Sequence, residues 1–198
     1  MNHLFVDLGA HYGSSLQKWQ SMRGKDIVNW SAVTVEADAR AYANLLAYIA
    51  SDQNKIDSVV PIHAAVSTSG DFMTPFFENS TNREFGNSTA NISKANVWNK
   101  RFGGMTKTVS RGVFCLNTFY QWAQDKYDLI VIKMDIEGSE YDVLPSFIDK
   151  VIPEKTPVIF IEFHDKKIGL PPRVTESLIA SYSEKHIKFK DWNAATKL

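Results

Sequence analysis

Apolar residues along the chain gather in short continuous runs that alternate with stretches of helical spacing. Leu4-Phe5-Val6, inside the strand-like stretch Met1–Ala10, ends at Asp7 and leads into a glycine-bearing turn, Gly9 to Gly13. The pattern predicts a buried strand followed by a tight turn. Ser14 or Ser15 can cap the next helix, whose Leu16, Trp19 and Met22 share one face and which Gly24 can stop. Ala32-Val33-Thr34-Val35 predicts a second strand with Glu36 at its end. Asp38 then caps a helix in which Tyr42, Leu45, Leu46 and Ile49 follow the i, i+3, i+4, i+7 spacing. Val59 to Val66 predicts a third strand, made irregular at its start by Pro61.

The pattern breaks over Asp71–Gly112, where Asn79–Asn96 is rich in Asn, Ser and Thr and poor in apolar residues. A loop of that length is usually functional or mobile. Its later part carries Lys94, Lys100, Arg101, Lys107 and Arg111. Two readings stand: a solvated surface, or a substrate loop that favours an anionic ligand. Order resumes where Thr118 caps a helix with Phe119 and Trp122 inward. The run Asp128 to Asp135 is the strongest strand and fits a sheet centre covered on both faces. A helix follows from about Ser139 with Val143, Leu144, Phe147 and Ile148 inward, kinked or shortened by Pro145. Pro157 to Phe163 predicts another core strand, Thr175 to His186 a helix with Leu178, Ile179 and Tyr182 inward, and Ile187 to Trp192 a last strand. Alternating strands and helices imply one α/β domain over 1–198, a doubly wound and mostly parallel sheet with a long insert or substrate loop at 71–112.

Composition narrows the function classes. The 198 residues suffice for about one domain, and 44% are hydrophobic, which argues against wholesale disorder. Lys and Arg number 22, as do Asp and Glu, so nucleic-acid binding through bulk charge is disfavoured. One cysteine, Cys115, excludes an intramolecular disulfide and a cysteine-rich zinc site. With no secretory pattern and no apolar run long enough for a membrane span, the expected location is the cytoplasm. The Asn-x-Ser/Thr triplets at Asn29, Asn79, Asn87 and Asn91 are then read as chance.

In a sheet of this kind, ligands bind at the carboxyl ends of the strands near the switch in strand order. The polar residues expected there are Asp7, Glu36, Asp135 with Glu137, and Glu162 with His164. Glycines in Asp7–Gly13 let a backbone pass close to a ligand, and the helix start offers free N–H groups. Glu36 follows Gly13 by 23 residues, where a carboxylate can accept both hydroxyls of a ribose. The full G-x-G-x-x-G pattern is absent, since His11 replaces the second glycine, which favours a nucleoside ligand without pyrophosphate over NAD. Glu140 reads mainly as favouring a helix start. Glu162 and His164 are two apart and face one side of a strand; a satisfied structural histidine is the bland alternative.

The blocks Val6–Gly13, Val35-Glu36-Ala37, Ala64–Ser67, Ile132–Glu140 and Ile161–His164 resemble, in order, those of the FkbM family of S-adenosylmethionine-dependent class I methyltransferases. The resemblance covers roughly residues 4–165, and Lys133–Glu140 is its most specific part. It implies a Rossmann-like class I fold. It implies that Asp7, Gly9, Ala10, His11, Gly13 and Ser14 hold the amino-acid part of S-adenosylmethionine. Glu36 would bind the ribose, with Ala37 and Asp38 beside the adenosine and Ala65 and Val66 bordering the adenine. Asp135 would close the cofactor pocket, and Glu137, Glu162 and His164 would face the acceptor. The expected reaction is O-methylation of a small molecule or sugar, with an anionic or glycan-like acceptor suggested by the basic loop. His164 is the first choice of general base and Asp135 the second. A divalent metal on Asp135, Glu137, Glu162 and His164 is a rival route, not favoured because no ligand spacing compels it. The rival functions are a nicotinamide-dependent oxidoreductase and a nucleoside-binding domain without catalysis. Oligomeric state is not legible in the sequence.

Overall fold

The apolar runs become the strands of a parallel sheet in the computed structural model, which describes residues 2–68, 70–79, 105–152, 155–183 and 188–192. The strands are β1 (His3–Leu8), β2 (Trp30–Glu36), β3 (Ser58–His63), β4 (Ala65–Ser67), β5 (Met73–Asn79), β6 (Met105–Cys115), β7 (Leu129–Met134), β8 (Val158–Ile161) and β9 (Lys188–Asp191). The helices are α1 (Ser14–Arg23), α2 (Ala39–Ile49), α3 (Leu116–Ala123), α4 (Glu140–Ile148), α5 (Asp165–Ile168) and α6 (Pro172–Ser183), with a 3-10 segment at Gly24–Asn29. The 3-10 segment and α5 have no forerunner in the sequence pattern.

Six strands form one sheet in the order β3-β2-β1-β7-β8-β9, and every pairing in it is parallel. Chain order reverses between β1 and β7, so the switch point lies at the sheet centre, as the run Asp128–Asp135 implied. Alternate side chains feed two cores. Leu4, Val6 and Leu8 join Ile130, Ile132 and Met134 in a larger core with Leu116, Tyr120, Val143, Leu144 and Phe147 from α3 and α4. Phe5, Val131 and Phe160 face the other side and meet Leu16 and Trp19 of α1. There the Phe5 and Trp19 rings stack at 4.7 Å. Burial on both faces is why these strands read as continuous apolar runs.

Several boundaries move. The stretch Val59–Val66 divides at Ala64: β3 stays at the edge of the main sheet, while β4 pairs with β6 in a second sheet of order β4-β6-β5. Pro61 sits on edge strand β3, where a missing N–H costs no second ladder. The ends of 71–112 are not loop: β5 and β6 pair antiparallel, with Met73 opposite Gly112 and Thr74 opposite Arg111. Neither strand carries a clean polar–apolar alternation, so their pairing across the Asn- and Ser-rich stretch left no local signal. Lys94, Lys100, Arg101, Asn87 and Asn91 lie outside the described residues, as do His186 and Ile187.

Helix details also differ. The residue preceding α1 is Gly13 at φ 88°, and neither Ser14 nor Ser15 is its cap. Asp38 does cap α2, accepting from the amides of Arg40 and Ala41. Within α2, Ala41 and Leu45 are buried but Leu46 is 41% exposed, because only one narrow stripe faces the sheet. Thr118 lies inside α3, which starts after Cys115; Leu116, Tyr120 and Ala123 are inward, while Trp122 is 51% exposed. Pro145 sits within α4, which ends three residues later at Ile148. Pro172 opens α6, a position where its missing N–H is harmless, and Tyr182 is buried as the spacing predicted.

Candidate functional site

The carboxyl ends of β1, β2, β7 and β8 bring most of the expected residues to one edge of the sheet. The turn after β1 is built on backbone contact. The amides of Gly9 and Ala10 both donate to the Val35 carbonyl at 3.0 Å, tying the turn to β2. Gly9 has φ 78°, and a Cβ there would stand 1.9 Å from the Asp135 carbonyl oxygen, so only glycine fits. Gly13 lies against the Tyr48 ring, 2.6 Å from where its Cβ would be. His11, in place of the second glycine, takes the left-handed region at φ 50°.

Asp7 and Lys133 are adjacent across the β1–β7 ladder and point to the same face. Both are fully buried, and their charged atoms lie 3.3 Å apart. Lys133 Nζ also donates to the Gly9 carbonyl at 2.8 Å and stands 3.5 Å from Asp135. Burial pushes the Asp7 carboxyl up, and Lys133 and Ser15 offset part of that rise. Burial works against the Lys133 ammonium too, but the carboxylates of Asp7 and Asp135 outweigh it and hold its pKa above the usual value. The lysine is thus a cationic strut under the glycine turn.

Glu36 ends β2 nearly buried. One oxygen accepts from the His11 amide at 2.8 Å and the other from the Asp38 amide at 2.7 Å. Burial nevertheless pushes its carboxyl up to about 7. Each oxygen keeps a second lone pair, so the fixed carboxylate can still accept a vicinal diol. Ala37 follows, its carbonyl held by His63 Nε2 at 3.2 Å and by Arg111 Nε at 2.6 Å. Arg111 thus docks the β5–β6 hairpin on this turn, with its guanidinium 5.7 Å from the Phe76 ring centre. Arg111, one of the basic residues of 71–112, is thus tied to the protein itself through its Nε. The Ala64 amide donates to the Glu36 carbonyl, so β4 starts beside Glu36, yet Ala65 and Val66 are buried there, Val66 in the larger core.

The fourth group gathers around His164, which follows β8. The loop between β7 and α4 turns sharply, with Glu137 at φ 57° and Gly138 at φ 102°. Glu140, fully buried at the start of α4, reaches back to accept from the amides of Ile136 at 2.9 Å and Gly138 at 2.8 Å. The same carboxylate meets His164 Nδ1 at 2.8 Å. The opposite ring nitrogen, Nε2, lies 3.5 Å from Asp135, 3.7 Å from Glu137 and 3.8 Å from Glu162. His164 is 3% exposed, whereas these three carboxylates are partly open to solvent. Asp135, Glu140 and His164 each offer one donor atom within 4.8 Å of the others, a set that could hold a cation. Against it, Glu140 Oε1 already accepts from the Ile136 amide and meets His164 Nδ1 at 2.8 Å, a contact that a cation on both residues would have to break.

The structure brings Asp135, Glu137 and Glu162 around His164 and links Asp7 to Asp135 through Lys133, while Glu36 lies against the His11 and Asp38 amides. Sequence reasoning missed the roles of Lys133, His63 and Arg111, and gave Glu140 mainly a helix-start role. Lys133 had a signal: a lone lysine inside an apolar run that is covered on both faces needs a buried partner. Among the described residues, no helix is long and apolar enough to cross a membrane. A family model described as "Methyltransferase FkbM domain" matches residues 7–182. No curated protein and no solved structure matches the chain.

Proposed function

Because the chain belongs to the FkbM family of S-adenosylmethionine-dependent methyltransferases, we propose that it methylates a hydroxyl of a small molecule or sugar, with Glu36 holding the cofactor ribose and His164 taking the proton. The observation that carries this reading is the pairing of two buried groups at one sheet edge. Glu36 is a fixed, buried acceptor for a diol, and His164 sits inside a ring of carboxylates on the far side of the switch point. The glycine turn suits the same ligand. Gly9 and Gly13 let the turn pack tightly on the Asp135 carbonyl and the Tyr48 ring, and α1 starts directly after. The resemblance adds Ala10, His11 and Ser14 to that turn, Ala37 and Asp38 beside the adenosine, and Ala65 and Val66 at the adenine.

When bound, S-adenosylmethionine supplies an activated methyl group on a sulfonium, so the protein's share is alignment, proton removal and exclusion of water. Lys133 fixes the floor of the turn through a buried ion pair with Asp7 and a partly exposed one with Asp135. His164 Nε2 accepts the acceptor's hydroxyl proton, and Asp135, Glu137 and Glu162 around it favour the charge that then forms on the ring. A divalent metal is the second reading, carried by the proximity of Asp135, Glu140 and His164. It stands behind because Glu140 Oε1 is already shared between the Ile136 amide and His164 Nδ1. The basic residues of 71–112 support an anionic or glycan-like acceptor only weakly, now that Arg111 is tied to Ala37. We read the chain as one methyltransferase domain, and its single cysteine suits a reducing compartment such as the cytoplasm.

Calorimetry with S-adenosylhomocysteine, S-adenosylmethionine and NAD tests the cofactor reading. The expected result is binding of the first two and none of NAD. Binding of NAD without either S-adenosyl ligand would overturn it. Turnover then needs a screen of sugars and glycans read by homocysteine release, in which His164→Gln should retain cofactor binding and lose activity.

A further inference from the structure

We propose that Glu140 is a positioning residue that locks His164 in the Nδ1–H tautomer and so keeps the Nε2 lone pair on the acceptor side. This rests on the reading of His164 as the proton acceptor and deepens it.

The argument runs from what each atom can do. An ionised carboxylate only accepts hydrogen bonds. Glu140 Oε1 already accepts from the Ile136 amide and Oε2 from the Gly138 amide. Both donors are backbone N–H groups, an environment that suits Glu140 as a carboxylate, which has acceptors only. His164 Nδ1, 2.8 Å from Oε1, must then be the donor. A neutral imidazole carries one N–H, so its Nε2 holds a lone pair. That nitrogen faces Asp135, Glu137 and Glu162 at 3.5–3.8 Å.

Glu140 is also well placed to hold this arrangement. It is completely buried, so water does not compete for its oxygens. It belongs to the first turn of α4, while His164 follows β8, so it joins two separate strand ends. Its two backbone partners belong to the sharp loop that carries Asp135 and Glu137. One side chain therefore sets the histidine tautomer and the position of two of the carboxylates that face Nε2. The proton balance is simple: a hydroxyl proton moves to Nε2, the imidazole becomes an imidazolium, and the hydroxyl oxygen bonds to the methyl carbon as the sulfonium C–S bond breaks.

Nitrogen-15 NMR of the imidazole rings in the wild-type protein, with His164→Gln for assignment, reads the tautomer without any acceptor. At the pH of S-adenosylhomocysteine binding, the expected spectrum shows a protonated Nδ1 and an unprotonated Nε2. An Nε2–H tautomer, or a ring protonated at both nitrogens, overturns the proposal. In Glu140→Gln, the amide can offer a donor to Nδ1, and the tautomer mixture should shift toward Nε2–H. Once an acceptor is in hand, kcat should fall on the order of 10²-fold or more while KM for the cofactor stays within about threefold. An unchanged tautomer with unchanged kcat in the folded variant overturns it as well. If Glu140→Gln does not fold, the wild-type spectrum still decides. The base reading fails separately: His164→Gln with full turnover would end it whatever the tautomer is.

Discussion

Lowering the pH from 8 to 5 should weaken cofactor binding through one group, Glu36. Burial holds its carboxyl at about 7 in the free protein, against an ordinary value of 4.5. A protonated carboxyl loses much of its power to accept the ribose hydroxyls, so binding draws on the ionised fraction. At one pH unit below 7 that fraction is roughly one tenth, so affinity should fall about tenfold, or ~1.4 kcal/mol. If the bound state restores the ordinary value, the full effect spans about 2.5 pH units and is capped near 3 kcal/mol. Calorimetric titration with S-adenosylhomocysteine from pH 5 to pH 8, in two buffers of different ionisation heat, reads both the affinity and the proton released. Binding below pH 7 should release close to one proton, and Glu36→Gln should flatten the curve and abolish the release. The stability of the ligand-free protein runs the other way. The folded state keeps the Glu36 proton to about pH 7 while the unfolded chain loses it near 4.5, so this contribution declines as pH rises through that window. An affinity that stays flat from pH 5 to pH 8, with no proton released, would refute the placing of the ribose on Glu36.

Three further outcomes test the scaffold. Lys133→Met leaves Asp7 buried without its cation and should cost about 3–5 kcal/mol in urea unfolding; a loss under about 1 kcal/mol would mean the ion pair is not the strut described. Gly9→Ala drives a Cβ into the Asp135 carbonyl and should cost at least about 2 kcal/mol with loss of S-adenosylhomocysteine binding, whereas Gly24→Ala, with open space around it, should cost only about 1 kcal/mol. Equal losses in the two would show that the close approach at Gly9 is not real. Arg111→Met removes the hold on the Ala37 carbonyl and should lower stability by about 1 kcal/mol and weaken S-adenosylhomocysteine several-fold; unchanged affinity would separate the hairpin from the cofactor edge.

The parallel sheet was legible because its central strands are buried on both faces and so carry apolar runs, as in Leu129–Ile132. The strand-end residues were legible for a geometric reason: a chain that leaves a covered strand must place its first polar groups at the mouth, as Asp135 and His164 show. What escaped is set by tertiary contact. Leu46 and Trp122 fit a helical spacing but fall outside the narrow stripe that meets the sheet. Ala64 gives no local sign that the chain leaves one sheet for another there. The hairpin of β5 and β6 depends on pairing across a long sequence gap, which no local window contains. Glu140 looked like a helix-start acid, and it is one, but its reach to His164 is fixed by β8 and α4 meeting in space.

Charge at the site argues about the ligand more sharply than charge in the whole chain. The sequence balances 22 cationic against 22 acidic residues. At the sheet edge, Asp7, Glu36, Asp135, Glu137, Glu140 and Glu162 lie with one buried lysine, Lys133, whose ammonium is taken up by Asp7, Asp135 and the Gly9 carbonyl. Burial has already pushed Asp7 and Glu36 up, the mark of carboxyl groups held where their charge is poorly solvated. A pyrophosphate would add negative charge beside them and bring its own desolvation penalty. A ligand with a sulfonium and an ammonium would relieve the same excess. The missing second glycine and the acidic edge thus point the same way by different physics. His11 stands where a dinucleotide turn has its second glycine, and the gathered carboxylates match a pyrophosphate poorly.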